Sequence, residues 1–166
     1  MALIILCGQK DCGKSYFLNK LKSEHNVNVF DLDSKMLENS NEQTIRQLYA
    51  KLGEEKFREY EQKIFEILMQ KLDGSNAVVA LGGGALGVLD SAAKYGKTVY
   101  LFQKEDVLFE RMQKEGLPAF VKDRQSFCTL FENRDKIYSQ KCSKIIDLSK
   151  TGEDEVCQTL LEMYLN

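Results

Sequence analysis

At 166 residues the chain is one domain's worth, long enough to bury a core of its own. A formal net charge of −2, with lysines and glutamates interspersed rather than blocked, leaves no electrostatic case for binding nucleic acid or an anionic membrane. No stretch approaches the about 18 consecutive apolar residues of a spanning helix, and the N-terminus lacks a signal-peptide cleavage pattern. Five cysteines, odd in number and without paired spacing, point to a reducing cytoplasm. His25 is the only histidine and there is no C-x-x-C, so no zinc site is expected.

The predicted elements alternate from end to end. An apolar strand over 2–7 runs into Gly8-Gln9-Lys10-Asp11-Cys12-Gly13-Lys14-Ser15, which matches G-x-x-x-x-G-K-[ST], and a helix over 14–24 follows. In that context the loop's N–H groups cradle nucleotide phosphates, Lys14 reaches the β- and γ-phosphates, and the Ser15 hydroxyl ligates Mg²⁺. The cofactor-binding set is therefore Gly8, Asp11, Cys12, Gly13, Lys14, Ser15 and Tyr16. A second strand over 27–31 ends in Asp31-Leu32-Asp33. In extended geometry both carboxylates point to one side, where one can serve a metal and the other can take a proton from an attacking hydroxyl. The competing reading is that one or both merely cap the helix beginning near Ser34, with Asp33 an ordinary N-cap.

Helical patterns follow over 34–50 and 53–73, the latter carrying an apolar stripe of Phe57, Tyr60, Ile64, Leu68 and Leu72. A third strand over 77–81 ends in Gly82-Gly83-Gly84, which lets the backbone approach a ligand closely and adopt positive φ. Beyond it come a helix over 88–94, a strand over 97–102, a helix over 105–114, a helix over 125–141, a strand over 144–148 and a helix over 153–165. Residues 115–124, with Gly116, Pro118 and no periodicity, read as a mobile loop. Arg58, Arg111, Arg124 and Arg134 are candidate anion-holding arginines, although surface pairing is the ordinary fate of a helical arginine. Arg46 has no companion motif and reads as surface.

This ordered set resembles the shikimate kinase family over nearly the whole chain. It comprises the phosphate loop, D-x-D, G-E-x-x-F-R-x-x-E, G-G-G, a late lid and the R-x-x-x-Y of Arg134 and Tyr138. The resemblance implies an α/β, three-layer α/β/α P-loop fold with a five-stranded parallel sheet of order 2-3-1-4-5. It implies a single kinase domain over 1–166 with a lid near 115–124. The implied reaction is ATP- and Mg²⁺-dependent phosphorylation of shikimate to shikimate 3-phosphate, by a cytoplasmic enzyme, a monomer on grounds of size. Carried over residue by residue, Lys14 and Asp33 are catalytic, and Ser15 and Asp31 serve the metal. Asp33, Arg58, Gly82, Gly83, Gly84 and Arg134 hold shikimate, and Arg111 lies against the adenine.

Two departures stand out. Leu117 precedes Pro118 where the family carries a lid arginine, so Lys122 or Arg124 is expected to substitute, with Arg124 the catalytic candidate. Asp11 stands where the family favours a third loop glycine, its carboxylate tolerable if it faces solvent or pairs with Lys10. The alternatives are another small-molecule kinase of the same fold, or a binding-only relative weakened by the missing lid arginine.

Overall fold

A computed structural model describes residues 2–118 and 120–166. In chain order the elements are β1 (Leu3–Cys7), α1 (Lys14–His25), β2 (Val29–Asp31), α2 (Leu32–Glu38), α3 (Ile45–Lys71), β3 (Ala77–Ala80), a 3₁₀ turn (Leu86–Val88), α4 (Leu89–Tyr95), β4 (Lys97–Phe102), α5 (Glu105–Glu115), α6 (Arg124–Lys141), β5 (Lys144–Asp147) and α7 (Glu153–Leu165). The strands form one parallel sheet ordered β2-β3-β1-β4-β5. β1 lies at its centre, with Ile5 beside Val79 of β3 and Thr98 of β4.

The central strands read as continuous apolar runs because both their faces are covered. Ile4 and Leu6 of β1 point into one core, with Phe17 and Leu21 of α1, Leu108 and Met112 of α5, and Val156 and Leu160 of α7. Ile5 and Cys7 point into the other, with Leu32 and Met36 of α2, Phe57 and Phe65 of α3, and Leu89 of α4. The helix α6 bridges the two: Phe127 and Phe131 pack in the first core and Tyr138 in the second. This three-layer arrangement delivers the loop after β1, Asp31 at the end of β2 and the glycines after β3 to one carboxyl edge of the sheet, where ligands of open α/β sheets bind.

The expected helix over 34–50 does not exist as one piece. It divides at residues 39–44, and α3 then runs on through residue 53 to Lys71. The physical reason is a capping box. Thr44 Oγ1 accepts the N–H of Gln47 at 3.2 Å, and Gln47 Oε1 accepts the N–H of Thr44 at 3.2 Å, which starts a new helix inside the supposed one. Gly53, at φ 75 and ψ 168, kinks α3 in a conformation open to glycine. The kink brings both arms of α3, through Tyr49 and through Phe57 and Arg58, to one cavity.

Candidate active site

The phosphate loop is held from several directions. Asp11 stands in the left-handed region at φ 61, which explains the preference for glycine there; aspartate is among the few side chains that accept it. Its carboxylate pairs with Lys10 Nζ at 3.2 Å, and its carbonyl accepts Arg111 Nη1 at 2.8 Å. Gln9, buried in the loop, donates from Nε2 to the Phe131 carbonyl at 3.0 Å, tying the loop to α6. Lys14 opens α1 and is buried, its Nζ donating to the carbonyls of Gly8 and Gln9 at 2.8 Å each. Behind the loop, a side chain on Gly8 would come within 2.8 Å of both Cys12 Sγ and the Leu101 carbonyl oxygen.

Two cavities of about 350 Å³ each open at this edge. The first is a phosphate cavity, lined by Asp11, Gly13, Lys14, Ser15, Tyr16 and Arg111 among others, with Asp31 and Asp33 on its wall. Gly8 and Cys12 of the predicted set stand behind that wall rather than on it, and Cys12 is 1% exposed. Ser15 Oγ lies 3.4 Å from Asp31 Oδ2. A hydroxyl and a carboxylate are hard oxygens of the kind that would suit Mg²⁺.

The second cavity is lined by Arg58, Glu61, Arg134, Phe57, Tyr49 and the glycine turn, and is closed on one side by Gly116, Leu117, Pro118 and Phe120. Arg58 Nη1 meets Glu61 at 3.1 Å and 2.9 Å, one bond to each carboxylate oxygen. Glu61 is 2% exposed; burial raises its carboxyl, and the Arg58 charge pulls it back. Burial, with the neighbouring Arg58 charge, lowers the Arg134 guanidinium, which stays cationic. Both guanidinium groups converge on Gly84, where an added Cβ would lie 2.7 Å from Arg58 Nη2 and 2.9 Å from Arg134 Nη2.

The glycine turn joins the two cavities, and each of its residues makes room for a different group. A Cβ on Gly82 would sit 2.7 Å from Asp33 Oδ1, and one on Gly83 would sit 2.5 Å from the Lys10 backbone nitrogen. None of the three adopts the positive φ expected from sequence; close approach, not a left-handed backbone, demands glycine here. Tyr138 fixes the turn by donating its hydroxyl to the Gly83 carbonyl at 2.8 Å.

Asp33 lines both cavities. It is half-buried, and its carboxyl is pushed up to about 6, first by burial and then by the charges of Asp31 and Glu61, against the pull of Lys14 and Arg58. The helix cap is Asp31, not Asp33: Asp31 Oδ1 accepts the N–H of Ser34 at 3.0 Å. The chain turns into α2 at Leu32, so the two aspartates do not share an extended segment, yet both reach the phosphate cavity.

Arg124 is not brought to either cavity. It opens α6 with its guanidinium paired to Glu105 at 2.6 Å and stacked 4.4 Å over the Phe109 ring, a site on α5 that sequence proximity to the lid does not reveal. Lys122 lines neither cavity. Of the lid expected over 115–124, Ala119 lies outside the described residues. Sequence reasoning assigned no role to Glu61, although its place three residues after Arg58 was a signal for pairing. It also dismissed Arg46, which lines the second cavity beside Gly116, and left Lys10 without a part in the chemistry.

A family model described as shikimate kinase matches residues 10–165. A shikimate kinase of Bacillus mycoides is 31% identical over 165 residues, covering 96% of each chain. Among solved structures, a shikimate kinase from Bacteroides thetaiotaomicron superposes with a TM-score of 0.78 at 25% identity, covering 99% of both chains. A shikimate kinase from Acinetobacter baumannii in complex with shikimate shares the fold, with a TM-score of 0.84 at 22% identity over 99% of this chain and 93% of that one. With its phosphate loop, its arginine pair and this match over 156 of its 166 residues, the chain belongs to the shikimate kinase family.

Proposed function

We propose that this member of the family moves the γ-phosphoryl group of ATP in line onto the 3-hydroxyl of shikimate, with Asp33 as the base. The observation that carries this reading is the shared wall of the two cavities. Asp33 faces both the phosphate loop and a chamber built around two arginines, so a hydroxyl held there meets the γ-phosphate and the base together.

Arg58 and Arg134 take the shikimate carboxylate in their planar forks, and Glu61 fixes Arg58 in position. Gly82, Gly83 and Gly84 keep the substrate face open. As the new bond forms between the substrate oxygen and γ-phosphorus, the bond to the β,γ-bridging oxygen breaks and the hydroxyl proton passes to Asp33, leaving ADP and shikimate 3-phosphate. Lys14 holds the phosphates, the loop from Gly8 to Tyr16 supplies N–H donors, and Arg111 flanks the adenine. Ser15 and Asp31 would hold Mg²⁺, which when bound neutralises phosphate charge. One kinase domain spans the chain, and Gly116, Leu117, Pro118 and Phe120 close over the substrate chamber and exclude water. A cytoplasmic monomer is the matching cellular form; the free thiols of all five cysteines suit a reducing compartment.

The test is ADP release from MgATP by the purified protein with and without shikimate. Release that depends on shikimate is expected. Nucleotide binding with no shikimate-dependent release would refute the reading.

A further inference from the structure

Resting on that reading, we propose that Lys10, at one of the four unspecified positions of the G-x-x-x-x-G-K-S signature, is the cation that flanks the transferring phosphoryl group. Five of the described residues line both cavities: Lys10, Asp33, Gly82, Gly83 and Glu115. The phosphoryl group has to cross this junction. Two of the five are carboxylates and two are glycines, so Lys10 is the only positive charge among them. The transition state spreads negative charge over three equatorial oxygens, and in a junction already holding Asp33 and Glu115 it needs a counter-charge at that point.

The other cations stand to either side. Lys14 and Arg111 line only the phosphate cavity, and Arg46, Arg58 and Arg134 only the substrate cavity. The segment that closes the substrate cavity offers no cation there, since its described lining residues after Glu115 are Gly116, Leu117, Pro118 and Phe120. The position of Lys10 is built in. An added Cβ on Gly83 would lie 2.5 Å from its backbone nitrogen, 2.9 Å from its Cα and 3.1 Å from its Cβ, so only a glycine lets the stem seat at the junction. Its head group is free to move: the side chain is 46% exposed and its one partner is Asp11, at 3.2 Å. A solvated ion pair of that kind is worth little and yields readily to a phosphoryl oxygen. Asp11 then acts as a parking site for the ammonium until substrates arrive.

Lys10→Met keeps the aliphatic stem and removes the charge. In the full chain with MgATP and shikimate, kcat is expected to fall about 10²–10³-fold, the range for losing one preorganised donor to developing charge. The KM for shikimate and the Tm should stay near wild type, and Lys10→Arg should recover most of the loss. A Lys10→Met enzyme with kcat within about threefold of wild type would overturn the proposal. So would a loss that Lys10→Arg shares in full, because loop architecture rather than charge would then be responsible. Wild-type protein without shikimate-dependent turnover would instead sink the underlying functional reading, so the two failures are distinct.

Discussion

Asp33→Asn should make the protein more stable and nearly inactive at the same time. The carboxyl ionises at about 6 in the folded protein against 3.8 unperturbed, so through that window the native state binds more protons than the unfolded chain. Stability from this group is therefore intact below about pH 4, declines as pH rises, and is fully lost above about pH 6–7. A gap from 3.8 to about 6 is worth about 3 kcal/mol, which partial access to water reduces to about 2. For a chain of this size that is about 4–8 °C in Tm at pH 8. Asparagine keeps the shape without the charge, so thermal unfolding of the variant and wild type at pH 8 should show this gap, and at pH 5 it should fall to about half. Loss of the base should lower kcat about 10²–10⁴-fold, and wild-type kcat/KM should decline as pH falls through about 6. A stability gain unchanged between pH 5 and pH 8 would place its origin in packing and refute the electrostatic argument. An activity profile flat through pH 6 would remove Asp33 as the base.

Arg58→Ala should raise the shikimate KM about 10²-fold and also cost about 3 kcal/mol, because Glu61 is left as an unpaired buried carboxylate; adding Glu61→Gln should restore stability in urea titrations without restoring KM. Gly84→Ala pushes on the guanidinium ends of Arg58 and Arg134 rather than on backbone, so steady-state assays should show a raised shikimate KM with little change in Tm. Gly83→Ala meets the Lys10 backbone instead and should cost about 1–3 kcal/mol, measured as a lowered Tm. Asp11→Gly should relieve the left-handed backbone strain, about 1 kcal/mol, and tighten nucleotide binding by calorimetry through loss of a carboxylate beside the phosphates.

The sequence made the sheet legible because its strands are short, largely apolar runs, and the central ones are buried on both faces. All five were placed within about two residues, and the carboxyl ends of the first three carried their motifs. It failed at one local helix break and where structure depends on partners far along the chain. The break between α2 and α3 rests on a local capping box that Thr44 and Gln47 spell out within the expected helix over 34–50. The fate of Arg124 rests on Glu105 and Phe109, an attraction across two helices that no local pattern encodes. Arg46 was judged by the lack of a neighbouring motif, and the kink at Gly53 is what turns its arm of α3 toward the second cavity.

The glycine turn shows why composition alone undersold this site. Flexible turns are rich in glycine, and three in a row invite that reading. Here each missing side chain is space taken by another functional group: the Asp33 carboxylate at Gly82, the phosphate-loop backbone at Gly83, the arginine pair at Gly84. Asp33, the phosphate loop and the arginine pair thus meet a single three-residue segment, itself pinned by Tyr138 from α6. Because α6 carries Arg134 and Tyr138 and also accepts Gln9 of the phosphate loop through the Phe131 carbonyl, one helix sets the separation between the two cavities. The proposed in-line transfer would tolerate little error in that separation, so it needs rigidity in α6 and the turn.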